Sequence, residues 1–147
     1  MKTQKIHLLL VEDDDLDVMN VRRALAQASE VASITVARDG LEALALLRGA
    51  ELPMGRLVIM TDLWMPRMSG LDMLRELRVD GRLKRIPTVV ITTSDDPQDR
   101  DAAFYLGAAG YFVKPAAPER FRQIMDAMRG YWSVAEFAPA SMETAKS

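Results

Sequence analysis

Acidic, hydroxyl and lysine side chains stand at the points where short apolar runs of this chain end. Glu12 and Asp13 follow one run, Asp62 follows a second, Thr92 closes a third, and Lys114 follows a fourth. The carboxyl ends of parallel strands lie at one edge of an open sheet, and ligands bind in the crevice there. We therefore expect these side chains to converge on one acidic pocket that contains one lysine.

A pocket of this kind favours metal-assisted phosphoryl chemistry. Two carboxylates about 4 Å apart repel by about 4 kcal/mol at an effective dielectric of about 20, so the pocket takes up a proton or binds a cation. Oxygen ligands favour Mg²⁺ over a softer metal. A neutralised carboxylate can attack phosphorus while the metal and Lys114 balance the charge on the transferring oxygens. Asp62 is the candidate nucleophile because it stands alone at the end of a central strand.

Strand-like and helix-like segments alternate along the chain and would position these residues. Short apolar runs predict strands at residues 6–11, 31–37, 57–61, 87–92 and 111–113. Each run precedes a helical pattern, and the helices begin near residues 14, 40, 71, 96 and 118. This strict alternation predicts a doubly wound α/β domain. The polar alternation within residues 31–37 predicts an edge strand.

Composition sets limits on the class of protein. The 147 residues, 49% of them apolar, fit one domain with one continuous core. With 19 basic and 21 acidic residues, the net charge of -2 predicts no nucleic-acid or membrane partner. The absence of cysteine excludes disulfides and thiolate catalysis. No apolar run has the length of a signal sequence or membrane span, so we expect a cytoplasmic protein.

The order and spacing of these residues resemble the receiver domain of two-component response regulators. The matching segments are Val11 to Asp14, Thr61 and Asp62 with Met65-Pro66 and Ser69-Gly70, Thr92, and Gly107 to Pro115. The resemblance covers residues 5–130. It implies a flavodoxin-like five-stranded parallel sheet in the order 2-1-3-4-5, with five helices.

The resemblance implies a role for each residue of the acidic pocket. Asp62 would accept a phosphoryl group from a histidine kinase. Glu12 and Asp13 would hold Mg²⁺, whose direct ligands would be the Asp13 and Asp62 side chains and the Trp64 backbone carbonyl. Such a protein is a signalling protein rather than an enzyme, since it catalyses only its own phosphoryl transfer and slow autodephosphorylation.

The resemblance also implies a conformational switch. Lys114 would contact the phosphoryl group and precede a cis proline, and Thr92 and Tyr111 would form the switch pair. The Thr92 hydroxyl can bond a phosphoryl oxygen and draw its loop inward, which leaves space for the Tyr111 ring to turn in.

Two further segments narrow the resemblance to small response regulators that partner phytochrome-type kinases. These segments are Asp80 to Pro87 leading into Ile91 to Ser94, and the tail from Gly130 to Val134 with Phe137 to Pro139. Residues 131–147 are interpreted as a helix extension and tail that contain no output domain. The phosphorylated receiver itself would then be the signal that a partner or a second copy recognises.

The last helix is predicted to run from Pro118 to Phe137, about 20 residues and about 30 Å. One apolar stripe contains Phe121, Ile124, Met128 and Tyr131, whereas Met125 and Trp132 define a second stripe. Two apolar faces imply a second surface to cover. We expect a homodimer through Tyr131, Trp132 and Phe137, and the alternative is that this segment docks onto its own domain.

Several residues have competing interpretations. Asp14, Asp15 and Asp17 are interpreted as the cap and solvated first turn of a helix. Asp95, Asp96, Asp99 and Asp101 are interpreted as the charged start of another helix rather than as a second metal site. His7 is interpreted as a packed strand residue rather than a phosphoryl carrier. For Trp64, three interpretations stay open: a shield for the acyl phosphate, a contact for the kinase, and a surface aromatic without a functional role.

Two other function classes compete with the phosphorylation switch. A hydrolase with an aspartyl nucleophile needs a second aspartate two residues after the first, and Leu63-Trp64 fails that requirement. A degenerate receiver that only binds proteins would normally lack the acceptor or the lysine, and both are present.

Overall fold

A five-stranded parallel sheet flanked by helices organises residues 4–139, which are the residues that the computed structural model describes. The strands are β1 (Ile6–Val11), β2 (Val31–Ala37), β3 (Leu57–Thr61), β4 (Thr88–Thr92) and β5 (Gly110–Val113). The helices are α1 (Asp15–Leu25), α2 (Gly40–Arg48), α3 (Gly70–Val79), α4 (Pro97–Tyr105) and α5 (Pro118–Val134). A short 3₁₀ turn at Leu83–Arg85, which the sequence did not predict, precedes β4.

The strand order is β2-β1-β3-β4-β5 with every neighbouring pair parallel, which confirms the predicted topology. β2 lies at an edge, as its polar alternation indicated. Strand order reverses between β1 and β3, where helices leave the sheet toward opposite faces. The crevice at this reversal opens between the loops that follow β1 and β3.

The two faces of β1 lie under different helices, which explains its continuous apolar sequence. Leu8 and Leu10 belong to a core cluster with residues of α1 and α5. Leu9 and Val11 belong to a second cluster with residues of α2 and α3. A strand covered on both faces needs apolar residues at every position.

Side chains just before the helices fix the loops at the carboxyl edge of the sheet. Asp14, Asp39, Ser69 and Asp96 are the N-caps of α1 to α4, and each accepts a hydrogen bond from a main-chain N–H of its helix. Such caps satisfy donors that the first helical turn leaves free. The helix starts predicted near residues 14, 40, 96 and 118 are confirmed, and α3 begins at Gly70, one residue earlier than expected.

The prediction that α5 extends to Phe137 is wrong. The helix has 17 residues and ends at Val134, and Ala135 adopts an extended conformation. The Arg56 side chain donates hydrogen bonds to the carbonyls of Trp132 and Ala135, at 2.7 and 3.2 Å. These contacts stabilise the end of the helix and turn the following residues back along the domain.

The predicted division of α5 into two apolar stripes is also wrong. Met125 is fully buried in the main core, whereas Tyr131 is 61% exposed. Phe121, Met125, Met128 and Trp132 lie on one helical line that packs against the first core cluster. Trp132 therefore belongs to the face that packs on the domain, and Tyr131 is left at its exposed side. Within residues 4–139, no helix combines the length and the apolar character that crossing a membrane requires.

Candidate functional site: an acidic pocket at the carboxyl edge of the sheet

The residues that the sequence singled out come together at one edge of the sheet. Glu12 directly follows β1, Asp62 follows β3, Thr92 ends β4 and Lys114 follows β5. The main-chain N–H of Lys114 donates to the Thr92 carbonyl at 2.6 Å, which extends the β4–β5 pairing to the lysine. We call Glu12, Asp13, Asp62 and Lys114 the acceptor pocket.

The Lys114 ammonium lies at the centre of three carboxylates. Its Nζ atom is 2.8 Å from Glu12 Oε1, 2.8 Å from Asp17 Oδ2 and 3.0 Å from Asp62 Oδ2. The Lys114 side chain is only 10% exposed, and those of Glu12 and Asp62 are 3% and 13% exposed. One ammonium neutralises one carboxylate, so the pocket keeps an excess of negative charge when all three are ionised.

The proton affinities of the pocket reflect this imbalance. Burial raises the pKa of Glu12 to about 7, and the hydrogen bond and charge of Lys114 offset the burial only in part. Burial alone would lower the pKa of Lys114, but its bonds to Asp17 and Glu12 and the charge of Asp62 outweigh that effect and raise it. The lysine therefore stays charged while Glu12 titrates near neutral pH.

Asp62 is held from both sides. One carboxylate oxygen accepts the main-chain N–H of Leu63 at 2.6 Å, and the other accepts Lys114. Its carbonyl accepts the Thr61 hydroxyl at 2.7 Å. The start of α3 packs directly on this carbonyl, and a Cβ at Gly70 would lie 2.1 Å from it. Only glycine allows such a close approach, so the position of Asp62 depends on Gly70.

The carboxylates of the pocket fit a hard divalent cation. Glu12, Asp13 and Asp62 each offer an oxygen, and these atoms all lie within 4.8 Å of one another. The donors are oxygens only, and Asp13 is exposed, which leaves room for water ligands. Mg²⁺ and similar ions prefer this combination of carboxylates and water. The metal role of the Trp64 carbonyl stays a prediction.

The predicted switch residues meet at Ser94. The Ser94 N–H donates to the buried Thr92 hydroxyl at 3.4 Å, and the Ser94 carbonyl accepts the Tyr111 hydroxyl at 2.8 Å. Thr92 and Tyr111 therefore contact the same residue of the loop between β4 and α4. Sequence reasoning missed Ser94, although its place two residues after Thr92 is a usable signal.

Trp64 lies in the loop between β3 and α3, and its side chain is directed toward α4. The side chain is half exposed, and its indole N–H donates to Asp99 Oδ2 at 3.2 Å. The same Asp99 oxygen accepts the Ser94 hydroxyl at 2.6 Å. Asp99 was interpreted only as part of a charged helix start, so this contact was not anticipated.

Two interpretations of the pocket need correction. Asp17 was placed in a solvated helix turn, but it binds Lys114, because it lies one turn above the Asp14 cap and faces the sheet edge. The expected cis proline after Lys114 is wrong, since the described residues contain no cis peptide bond. The cis and trans forms before proline differ by only about 0.5–1 kcal/mol, so sequence alone does not decide between them.

The predicted interface residues lie far from the pocket, at the opposite edge of the sheet. Arg56 binds the Trp132 carbonyl there and stacks on Phe137, with 4.6 Å between the guanidinium carbon and the ring centroid. Trp132 and Phe137 are partly buried against the core, and their ring centroids are 5.4 Å apart. Two of the three residues therefore dock onto their own domain, and Tyr131 alone remains mostly exposed.

Comparison with known proteins places this geometry in one family. The profile of the response regulator receiver domain matches residues 8–126. FilR2 of Methanothrix harundinacea, a probable methanogenesis regulatory protein, is 33% identical over 85% of this chain and 82% of its own length. The response regulator Rcp1 of Synechocystis is 30% identical over 91% of this chain and 93% of its own length.

Solved structures agree with this assignment. The phosphorylated cyanobacterial phytochrome response regulator RcpA superposes with a TM-score of 0.83 and 32% identity, over 92% of this chain and 99% of RcpA. Rcp1 in its Mn²⁺-bound form superposes with a TM-score of 0.80 and 30% identity, over 92% and 99% of the two chains. The sheet edge that carries the acceptor pocket lies within the matched residues.

Proposed function

The chain belongs to the family of response regulator receiver domains, and on that basis we propose that it signals by accepting a phosphoryl group on Asp62 in a Mg²⁺-dependent reaction. Receiver domains are signalling proteins that histidine kinases phosphorylate, rather than classical enzymes. The observation that carries the proposal is the convergence of Glu12, Asp62 and Lys114, with carboxylates in excess over the ammonium. That arrangement both attracts a cation and supplies a nucleophile.

The proposed transfer follows from the contacts of Asp62. A carboxylate oxygen of Asp62 forms the new bond to phosphorus while the phosphorus–nitrogen bond to the kinase histidine breaks, and the histidine leaves with that electron pair. Lys114 lies 3.0 Å from Asp62 and would bind an oxygen of the transferred group. A bound Mg²⁺ would supply further charge neutralisation. Glu12 and Asp13 would hold that ion.

The proposed switch uses the contacts around Ser94. The Thr92 hydroxyl now accepts the Ser94 N–H at 3.4 Å, a long hydrogen bond. A phosphoryl oxygen on Asp62 would accept a hydrogen bond from the Thr92 hydroxyl, and this bond would draw the loop toward the pocket. The Ser94 carbonyl, which accepts the Tyr111 hydroxyl, would move with it. The two states therefore differ in the contacts that a phosphoryl group makes, as a switch requires.

Phosphoryl incorporation tests this proposal directly. The protein is incubated with a small acyl phosphate donor, with and without Mg²⁺, and its intact mass is measured. We expect one phosphoryl group on the wild type with Mg²⁺, and none on Asp62→Asn. Asp101→Asn is the matched control, because Asp101 is an exposed aspartate of α4 outside the pocket.

The outcome separates the two functions that the sequence left open. Incorporation that requires both Asp62 and Mg²⁺ establishes the phosphoacceptor. A wild type that stays unmodified with the donor and with a phosphorylated histidine kinase contradicts it. The chain would then be a degenerate receiver that binds partners independently of phosphorylation.

We further propose that the kinase partner is of the phytochrome type. The support is the likeness to Rcp1 and to RcpA, a phytochrome response regulator, over more than nine-tenths of this chain. Phosphotransfer from an autophosphorylated phytochrome-type kinase should be faster than from a chemotaxis-type kinase. Equal rates, or a preference for the chemotaxis kinase, would contradict this partner.

We propose a homodimer through the last helix, and the contacts of the tail limit which residues could form its interface. Trp132 and Phe137 pack on their own domain, so the contact between copies would involve the exposed Tyr131 side of α5. We expect Tyr131→Glu to lower the sedimentation coefficient at high protein concentration. Tyr105→Glu is the control, because Tyr105 is 83% exposed on α4. A wild type that sediments as a monomer throughout, or a Tyr131 variant that still dimerises, would contradict this interface.

A further inference from the structure

Lys114 makes one contact in the acceptor pocket that neither the cation site nor the phosphoacceptor explains. Its ammonium has three donors, and each has a carboxylate acceptor, on Glu12, Asp17 and Asp62. Glu12 and Asp62 also belong to the group of oxygens that could share a cation, whereas Asp17 does not. Among the described partners of Lys114, Asp17 is therefore the one that a bound cation would leave unengaged.

Helix α1 fixes the direction of the Asp17 side chain. Val21 and Leu25, one and two turns further along, are buried in the first core cluster and hold this line of the helix against the sheet. Helical side chains lean toward the N-terminus of their helix, which here lies at the carboxyl edge. The main-chain N–H of Asp17 also donates to the Asp14 cap at 3.1 Å. A rigid element therefore presents this carboxylate to the pocket.

The Lys114 side chain is held less firmly by packing. It is a flexible four-carbon stem that follows the last residue of β5. A cavity of about 190 Å³ lies between α1 and the start of α5, and both Asp17 and Lys114 line it. The stem therefore has open space beside it, so the position of its ammonium depends on the carboxylates that bind it.

The three bonds of the ammonium cannot all persist during phosphoryl transfer. A phosphoryl group on Asp62 needs a donor from Lys114, so the present bond to Asp62 must be exchanged. The Glu12 carboxylate would be shared with a cation, because it belongs to the same oxygen group as Asp62. Only the bond to Asp17 involves neither the reacting carboxylate nor that group.

We propose that Asp17 is a positioning residue that anchors the Lys114 ammonium beside Asp62 while the other two partners of the lysine change. The inference rests on the proposed phosphorylation of Asp62 and adds a residue on which that reaction depends. In this role Asp17 contacts neither the phosphoryl group nor the cation. It acts through Lys114 alone.

Solvent exchange of the lysine ammonium tests the anchor without phosphorylation. Side-chain NH₃⁺ resonances are recorded on protein with ¹⁵N-labelled lysine, and Lys114→Arg identifies the resonance of Lys114. We expect its protons to be protected in the wild type, because all three donors are bound and the side chain is only 10% exposed. Asp17→Ala should speed their exchange about tenfold, since one hydrogen bond between charged groups is lost.

The second measurement is the initial rate of phosphoryl incorporation from a small acyl phosphate donor. The rate is measured at saturating Mg²⁺, so that a change in cation affinity does not affect it. We expect Asp17→Ala to react about tenfold more slowly, because the ammonium is less often in place. Asp17→Asn keeps an acceptor oxygen, so both its rate and its ammonium exchange should lie between those of Asp17→Ala and the wild type. A variant that is merely less stable would not give this graded order.

Asp15→Ala is the matched control. Asp15 is an acidic residue of the same helical turn, but its side chain is mostly exposed and its partner is Arg38. The substitution removes the same charge from the start of α1, and both measurements should keep their wild-type values. Urea denaturation of each variant confirms that the protein is folded in the assays.

Three results would overturn the proposal. They are wild-type exchange of the Lys114 ammonium in Asp17→Ala, a wild-type rate of incorporation in that variant, or equal slowing in Asp15→Ala. The last would show that the effect belongs to the charge of the helix start. If the wild type accepts no phosphoryl group, the proposed function fails and the role in transfer fails with it. The ammonium exchange then still decides whether Asp17 holds Lys114.

Discussion

The loops at the carboxyl ends of the strands and those at the opposite ends hold their central cation with different kinds of partner. At the carboxyl edge, one ammonium, that of Lys114, faces three carboxylates at 2.8 to 3.0 Å. At the other edge, the Arg56 guanidinium donates to three main-chain carbonyls, those of Lys5, Trp132 and Ala135, and lies over the Phe137 ring. The first set leaves negative charge uncompensated, whereas the second pairs the guanidinium donors with neutral main-chain acceptors that do not titrate.

This difference separates what the molecule needs for chemistry from what it needs for stability. A buried carboxylate without a full partner destabilises the folded state, and that cost is recovered only when a cation or a proton arrives. A guanidinium that binds neutral carbonyls stabilises the fold under all conditions, because hydrogen bonds to a charged group are strong. Changes at the two edges should therefore affect stability and phosphorylation in different proportions.

The largest expected effect comes from the backbone of the carboxyl edge. Gly70→Ala would place a methyl group 2.1 Å from the Asp62 carbonyl, so the start of α3 must move. We expect a loss of about 3 kcal/mol in the free energy of unfolding, measured in urea. A clash with backbone atoms cannot be relieved by the rotation of a side chain. Gly81→Ala is the control, because no atom of residues 4–139 meets its added Cβ within 4 Å. Equal stability of the two variants would show that α3 is not fixed at this contact.

Removal of the Arg56 contacts should give the next largest loss of stability, at the opposite edge. Arg56→Ala removes three hydrogen bonds from a charged group and one cation–π contact, and we expect to lose about 2 to 3 kcal/mol. Phosphoryl incorporation on Asp62 should remain normal, because Arg56 lies far from the pocket. Arg85→Ala is the control, since Arg85 lines the same cleft as Phe137. A variant with wild-type stability but impaired incorporation would reverse the comparison between the edges.

The pH dependence of stability should reveal the surplus charge at the carboxyl edge. Folded Glu12 has a pKa of about 7, raised from its ordinary value of 4.5, so it binds a proton that the unfolded chain has already released. Its contribution to stability is complete below pH 4.5 and is lost as pH rises to about 7. Without divalent cations, we expect stability to fall by about 2 kcal/mol between about pH 5 and about pH 6.5, as one pKa unit is worth about 1.4 kcal/mol.

The matched variant for this titration is Glu12→Gln, which keeps an acceptor for Lys114 but has no proton to release. Its stability should change less between pH 4.5 and 7 than that of the wild type, and added Mg²⁺ should stabilise it less at pH 7. Urea denaturation at four or five pH values provides the measurement. Parallel curves for the two proteins would show that Glu12 does not account for the slope.

The sequence predicted the sheet and the members of the acceptor pocket, and the physical reason is local, whereas the strand order came from the resemblance to receiver domains. Apolar runs such as Ile6–Val11 reveal buried strands, and a residue that follows a parallel strand has its place fixed by that strand. The convergence of Asp62 and Lys114, which are 52 residues apart in the sequence, was therefore predictable. The fold and the family are confirmed, whereas the roles of the individual residues remain proposals.

Several failures of sequence reasoning involve contacts that depend on side-chain direction. Asp17 and Asp99 were interpreted as charged helix starts, because position in a first turn does not reveal which partner a carboxylate reaches. The prediction placed Tyr131 on the core face of α5 and Met125 on a second face, whereas Met125 is buried and Tyr131 is exposed. The spacing of apolar residues fits more than one orientation of the helix about its axis. Arg56 gave no signal in the sequence, since its partners are main-chain carbonyls that are distant in the chain.

The smallest expected effect concerns a second ion pair at the carboxyl ends of the strands. It tests whether the cluster around Lys114 differs from the Arg56 contacts because of its charge balance or because of its location. The Asp39 side chain is also buried at the carboxyl ends of the strands, but among residues 4–139 it has one cationic partner, Arg67 of the loop between β3 and α3. Burial would raise the pKa of Asp39, yet the N–H of Glu42 and the Arg67 guanidinium outweigh it and lower that pKa. The pair therefore stabilises the fold above the ordinary pKa of an aspartate, and this contribution is lost as pH falls through the lowered value.

Arg67→Met should accordingly reduce stability by about 1 kcal/mol at pH 7, because the exposed arginine is partly screened by solvent. The difference from the wild type should shrink as Asp39 is protonated in acid. Arg75→Met is the control, since Arg75 pairs with Asp72 where both side chains are more than half exposed. A variant as stable as the wild type at pH 7 would mean that one-to-one pairing at this edge stabilises no better than the crowded cluster around Lys114. The contrast between the edges would then depend on their location and not on their charge balance.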